Sequence, residues 1–196
     1  MAKPKDRLSL SRRSSSTIDE NRHLYTYLVI DVWNHDTDLR SAYKNSTVWF
    51  YVNLAKRIGR RKYKHYFRKC KYGNRDLSEQ GIDFWNYGTF AVSPKNQIKF
   101  LINLYEQRLP FSDEILAKVK SIMISEKTDS YTIRSKTGWT NKDGRDIGWW
   151  IGYVEKQANV FFFATRLTKD KQHNNPDFSR CRKEITKEIF AELGIL

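Results

Sequence analysis

Three short words in this chain carry groups that could do chemistry: Ser46-Thr47-Val48, Tyr72-Gly73-Asn74 and Lys136-Thr137-Gly138. A serine hydroxyl attacks a carbonyl only when a base removes its proton, and a lysine or arginine such as Arg182 supplies positive charge. Taken one at a time, each word has an ordinary explanation. Ser46 could bond back to a helical carbonyl. Trp85 could be a core aromatic with its N–H satisfied, and Lys136 and Arg182 could be surface charges. The two cysteines, Cys70 and Cys181, lie far apart with no C-x-x-C spacing, so they read as unrelated thiols and no metal site is expected.

The elements that must position these residues follow from pattern. The 196 residues fit one domain of ordinary size. Hydrophobic residues make up 39% and aromatic residues 14%, enough for a core. No apolar run is long enough to cross a bilayer. Residues 1–22, basic and Ser-rich without an apolar stretch, read as a flexible tail rather than a signal peptide, and residues 23–196 as one domain. On that reading the chain stays in the cytoplasm. Residues 24–32 (LYTYLVIDV) read as a strand, and Asp36 to Arg57 as one helix ended by Gly59, with Ser46-Thr47-Val48 inside it. A basic helix follows to about Lys69, then a Gly-Asn turn. Ser93-Pro94 opens a helix through Glu106, and Ser112 opens another. Tyr131–Trp139, Ile147–Glu155 and Asn159–Thr168 form a three-stranded antiparallel meander. A last helix, Asp177–Leu193, turns Ile185, Ile189, Phe190 and Leu193 to one face. Helices gathered on one side of an antiparallel sheet give an α+β layer fold.

In order and spacing the three words resemble the S-x-V, Y-G-N and K-T-G elements of the class D serine β-lactamases: Tyr72 follows Ser46 by 26 residues and Lys136 follows it by 90. The surrounding words, among them Asp83-Phe-Trp and Gly148-Trp-Trp-Ile-Gly-Tyr-Val-Glu, resemble the family over roughly residues 30–196. The resemblance implies a serine β-lactamase/penicillin-binding (transpeptidase-like) fold, incomplete at its N-terminus. It implies hydrolysis of the β-lactam amide of penicillins through an acyl-serine, with β-lactam antibiotics as substrate or ligand. Ser46 is then expected to relay protons, Lys136 to supply charge, and the Trp139 N–H to form half of an oxyanion hole. Thr137, Gly138 and Arg182 are expected to bind the substrate carboxylate. Val48 and Trp85 are expected to surround a CO2-derived carboxylated lysine, the family's modification in place of a cofactor. Tyr72 and Asn74 are expected to shape the cleft wall.

The pattern departs from the family at the nucleophile. The S-x-x-K word should precede S-x-V by a little under fifty residues, which would fall before Met1. The one S-x-x-K in the chain, Ser41-Ala-Tyr-Lys44, lies beside Ser46 and reads as a coincidental helix surface pair. Neither the catalytic serine nor the lysine that is carboxylated in the family is then in this sequence. The expectation is a truncated or late-started gene product, marginal in stability and impaired in hydrolysis, whose intact relatives are exported to the periplasm or cell surface. Two other readings stand beside it. One is a fragment of the related penicillin-sensor domain. The other is a nonspecific nucleic-acid binder, since the net charge is +14 and bases interleave with aromatics between Lys56 and Lys71.

Overall fold

A computed structural model describes residues 9–10, 31–78, 81 and 84–196. They divide into two units, one ending at Arg60 and one running from Arg61 to Leu196. Most of the expected tail and of the expected strand over residues 24–32 lies outside the described residues. Of that strand, Asp31 and Val32 are described, and they belong to a short 3-10 helix, Asp31–Trp33.

In the first unit, strand β1 (Ser9–Leu10) pairs antiparallel with β2 (Thr37–Asp38). Helix α1 (Leu39–Asn45) is capped by Asp38, whose carboxylate accepts from the Ser41 N–H at 2.9 Å. The long helix expected from Asp36 to Arg57 is broken. Ser46 adopts a left-handed conformation (φ 53°), and α2 (Val48–Ile58) starts only after Thr47. The break is a Schellman closure: Ser46 N–H reaches the Tyr43 carbonyl and Thr47 N–H reaches that of Ala42. Trp33 fixes it from outside. Its indole N–H donates to the Asn45 carbonyl at 2.9 Å, and its own carbonyl accepts from the Trp49 indole at 2.7 Å. Ser46 therefore sits at a corner between helices, not inside one. Ala42, Trp49 and Phe50 form this unit's core, with Trp33, Leu39, Tyr51 and Leu54 against them.

Helix α3 (Arg60–Lys69) opens at the unit boundary. The second unit continues with a short α4 (Phe84–Tyr87), α5 (Pro94–Tyr105) and α6 (Asp113–Ile122). The side chains of Ser93 and Ser112 cap α5 and α6 as expected. Strands β3 (Ile124–Lys127), β4 (Thr132–Lys142), β5 (Arg145–Lys156) and β6 (Asn159–Asp170) follow, and α7 (Phe178–Glu192) closes the chain. The strands form one antiparallel sheet in the order β3-β4-β5-β6. The meander is present, and β3 is the strand that periodicity missed: four largely exposed residues, Ile-Ser-Glu-Lys, held by pairing with Thr132–Arg134.

The architecture is α+β, but the helices cover both faces of the sheet rather than one. On one face Trp150, Val154 and Phe163 pack with Ile133 and with Phe190 of α7. On the other, Tyr105 of α5 meets Tyr153 and Phe162 edge-on. Strand β5 is thus buried on both sides, which is why Gly152, Tyr153 and Val154 are buried in succession instead of alternating. The inward face of α7 also differs from the expected one. Phe178, Arg182, Thr186 and Phe190 are buried, while Ile185, Ile189 and Leu193 are exposed. A step of four residues is slightly more than one turn, so this stripe, half of it polar, lies along one side of the helix and is its true contact line.

At Gly152 the sheet has no room for a side chain. A Cβ there would collide with the Arg134 carbonyl, with Ser135 Cβ at 2.8 Å and with Phe163 at 2.9 Å. Gly152→Ala is expected to destabilise the fold by about 1–3 kcal/mol, seen as a lower denaturant midpoint than that of the parent chain.

Candidate active site

Strand register decides which way each residue of the Lys-Thr-Gly word faces. Lys136 pairs with Ile151 and Gly138 with Trp149, while Thr137 pairs with Trp150 and Trp139 with Gly148. Alternation puts Lys136 on the face that carries α5, and Thr137 and Trp139 on the face under α7. Strand β3 pairs only as far as Arg134. Among the described residues, β4 from Lys136 onward therefore keeps one edge without a strand neighbour.

A cleft of about 440 Å³ runs along this stretch. It is lined by Tyr72, Trp85, Phe90, Gln97, Lys136, Thr137, Gly138, Trp149 and Arg166, among others. Its far wall is the Tyr-Gly-Asn turn. The Tyr72 hydroxyl accepts from Gln97 Nε2 at 3.0 Å, and its ring packs against Phe67, Phe90 and Phe100. Burial raises the pKa of the Tyr72 phenol. Gly73 has φ 61°, and a Cβ there would strike the Ala91 carbonyl at 2.8 Å and Phe90 at 2.9 Å, so only glycine fits. Asn74 stitches the wall together: Nδ2 donates to the Thr89 carbonyl, and Oδ1 accepts from the N–H groups of Asp76 and Ala91. Trp85 stands on α4, edge-on to Phe84. The Thr140 hydroxyl ties that segment to β4 through the Asn86 carbonyl at 3.2 Å.

The cleft is cationic. Lys136, Lys142 and Arg166 line it, and none of the described residues around it is Asp, Glu or His. Lys136 Nζ donates to the Thr137 carbonyl at 2.8 Å. Burial, then the charges of Arg182 and Lys183, pull the Lys136 pKa down from 10.5 to about 8.

Arg182 reaches the same strand from the opposite face. It is 8% exposed. Its guanidinium donates to the Gly138 carbonyl at 2.8 Å and lies 5.8 Å from the centre of the Trp139 ring. Its Nε is buried with no partner among the described residues, and burial lowers its pKa. Gly148 lies beneath this side chain: a Cβ there would press on Phe178 at 3.1 Å and stand at ordinary contact distance, 3.6 Å, from Arg182 Cδ. Trp139 is 48% exposed, edge-on to Phe178 and bonded through its indole to Asp146.

The structure thus brings together Tyr72, Trp85, Lys136, Thr137 and Gly138 around one cleft, with Asn74 bracing its wall and Arg182 and Trp139 behind the strand. Ser46 and Val48 belong to the first unit. Sequence reasoning missed Arg166, Lys142, Gln97 and Trp149. Register alone could have found Arg166, which pairs with Trp149 next to Gly138. The aromatics of the basic run mostly face inward: Tyr63 and Phe67 pack on Phe84, while Tyr66 stacks on Phe111. The described residues include no cluster of metal-binding side chains. None of their helices is long and apolar enough to cross a membrane.

Residues 12–192 match the family model of the penicillin binding protein transpeptidase domain. The chain is 46% identical over 163 residues to the OXA-2 β-lactamase of Salmonella typhimurium, covering 83% of this chain and 57% of that protein. It is 35% identical over 167 residues to OXA-48 of Klebsiella pneumoniae, covering 85% and 62%. The solved class D β-lactamase of Sebaldella termitidis superposes with a TM-score of 0.82 at 43% identity, over 85% of this chain and 67% of that one. The chain therefore spans little more than half the length of the OXA-2 relative.

The depressed Lys136 pKa has a consequence for stability. The unfolded chain binds this proton up to about pH 10.5 and the folded chain only up to about 8. Stability from this group rises with pH between those values, and the full penalty is present below 8. Lys136→Met is expected to stabilise the fold at pH 7 by on the order of 3 kcal/mol. The gain should shrink toward zero above pH 10.5 in denaturant titrations run across that range.

Proposed function

The chain belongs to the class D β-lactamases, within the penicillin-binding transpeptidase family, and on that footing we propose that its cleft binds β-lactams through their carboxylate. The observation that carries this reading is the charge of the cleft. Among the described residues three cations and no acid line it, and an anion in a concave site feels that field more strongly than one on an open surface.

In this reading Lys136, Lys142 and Arg166 draw in the carboxylate, and the open edge of β4 at Thr137 and Gly138 offers backbone groups to the ligand. The Trp139 N–H serves as an oxyanion donor. Arg182, engaged with the Gly138 carbonyl, acts by holding that edge in place. Tyr72 and Trp85 supply the apolar walls.

The family hydrolyses β-lactams through an acyl-serine. That chemistry needs a serine with a base beside it. The 196 residues hold S-x-x-K only at Ser41–Lys44, on α1, where Asp38 caps the Ser41 N–H and Lys44 is exposed. We therefore propose ligand binding without acyl-serine turnover for these residues.

Benzylpenicillin added to the protein should quench tryptophan fluorescence saturably, with Trp85 and Trp149 reporting, and the affinity should fall as salt is raised. A chromogenic cephalosporin should not be turned over above the buffer rate. No saturable signal at millimolar penicillin would remove the binding reading. Turnover abolished by Ser41→Ala would move the nucleophile to α1.

A further inference from the structure

We propose that Lys136 is itself the acceptor of a covalent modification: a β-lactam held in the cleft acylates its Nζ and leaves a stable penicilloyl amide. The inference rests on the reading that the cleft binds β-lactams, and adds an outcome that the family reaction does not have.

Tyr72 and Thr140 bring hydroxyls to the cleft, Thr137 lines it from the strand with its side chain on the α7 face, and Lys136 and the exposed Lys142 bring amines. A hydroxyl needs a base to take its proton, and no Asp, Glu or His lines the cleft among the described residues. The Tyr72 phenol is held neutral by burial, and the Thr140 hydroxyl donates to the Asn86 carbonyl. An amine is different, because once neutral it attacks without help. Lys136 stands where the cleft meets the open edge of β4, its Nζ anchored to the Thr137 carbonyl at 2.8 Å. Burial, then the charges of Arg182 and Lys183, discourage its ammonium form.

The charged and titratable groups around Lys136 are Arg182 and Lys183 on α7, Tyr72 and Arg166 across the cleft, and Lys142 further along its own strand. With a pKa of about 8, roughly a tenth of Lys136 is free base at pH 7, against on the order of one part in a few thousand for an ordinary lysine.

The step balances without any co-reactant. The Nζ lone pair attacks the β-lactam carbonyl carbon, forming an N–C bond. The lactam C–N bond breaks, the strained ring opens, and the ammonium proton passes to the departing lactam nitrogen. That nitrogen stays tethered through the rest of the ligand, so the whole antibiotic is retained. An amide resists hydrolysis where an acyl-serine ester does not. The event therefore happens once per chain.

The test uses the full chain with benzylpenicillin between pH 6 and 9, followed by intact mass and peptide mapping. The expected result is a mass gain of one whole benzylpenicillin confined to the Lys136 peptide and resistant to hydroxylamine. It should form on the order of 100-fold faster than adducts on exposed lysines such as Lys62 or Lys69. Its rate should rise with pH and level off above about 8 to 9, and denaturation in urea should erase the preference for Lys136. Adducts spread evenly over exposed lysines would overturn the proposal, as would a hydroxylamine-labile adduct on a serine. Binding is followed separately by tryptophan fluorescence. Saturable binding without an adduct sinks this proposal and leaves the binding reading standing, whereas neither binding nor adduct sinks both.

Discussion

Much of the site hangs on one contact, the hydrogen bond from the Arg182 guanidinium to the carbonyl of Gly138. It joins α7 to the half of β4 that borders the cleft, which pairs with β5 on one edge and, among the described residues, has no strand neighbour on the other. Phe178 and the Arg182 stem pack directly over Gly148, where a Cβ would press on the Phe178 ring at 3.1 Å. The contact is energetically awkward. A guanidinium 8% exposed, bonded to a neutral carbonyl and leaving Nε unpartnered, carries a desolvation penalty that one hydrogen bond does not offset. Part of the compensation is the Trp139 ring beside it. A well-packed methionine would suit the fold better, so the placement makes more sense as electrostatics than as glue. It sets a fixed positive charge behind a strand whose other face carries Lys136.

That arrangement depends in turn on a central strand buried on both sides. Strand β5 gives Trp150 and Val154 to the α7 face and Tyr153 to the α5 face. With both layers anchored on β5, β4 is fixed in height and twist, and its first residues are tied again by Arg134. That side chain reaches Glu155 on β5 at 2.7 Å and the Lys120 carbonyl on α6 at 2.6 Å. Gly152 marks how closely these layers approach. These ties hold residues 132–135 of β4, and the strand continues paired with β5 to the exposed hairpin, where the backbone turns through positive φ at Asp143 and Gly144.

How far the sequence could be read depended on whether the signal was local. Capping serines, turn glycines and the aromatic and β-branched strands β4 to β6 are written in neighbouring residues, and they stand where pattern placed them. The departures come from tertiary contacts. Two Trp33 hydrogen bonds break the helix at Ser46, and nothing within residues 36–57 announces them. Hydrophobicity pointed to Ile185, Ile189 and Leu193, yet α7 buries Arg182 and Thr186, the latter bonded to Thr165 of β6. Polar residues on a contact line are invisible to an apolar period. Strand β3 escaped because four exposed residues carry no alternation. At the site, the Lys-Thr-Gly and Tyr-Gly-Asn words were legible as words. Arg166 was not, because only the register of two hairpins brings it to the cleft, whereas Lys142 shares the Lys136 face of β4 by alternation but lies past the expected end of that strand at Trp139.

The position of charge, rather than its total, decides what the molecule can recognise. The +14 net charge and the dense bases of α3 look at first like the dominant electrostatic feature. On α3, however, Tyr63 and Phe67 are drawn into ring contacts with Phe84 and Phe90, and the bases they leave behind stand on a convex, hydrated surface where salt screens them within about 8–10 Å. Among the described residues three cations line the cleft. Lys142 and Arg166 are exposed, whereas Lys136 is half-buried beside the apolar walls of Tyr72, Trp85 and Phe90, with the Arg182 charge behind the strand. One measure of that difference is internal to the protein: burial and two neighbouring cations are enough to bring the Lys136 pKa down to about 8. Burial by itself disfavours any charge, but the part of that shift that comes from Arg182 and Lys183 favours an anion placed at the same spot, and the lowered pKa leaves the amine itself reactive toward an electrophile the anion carries with it.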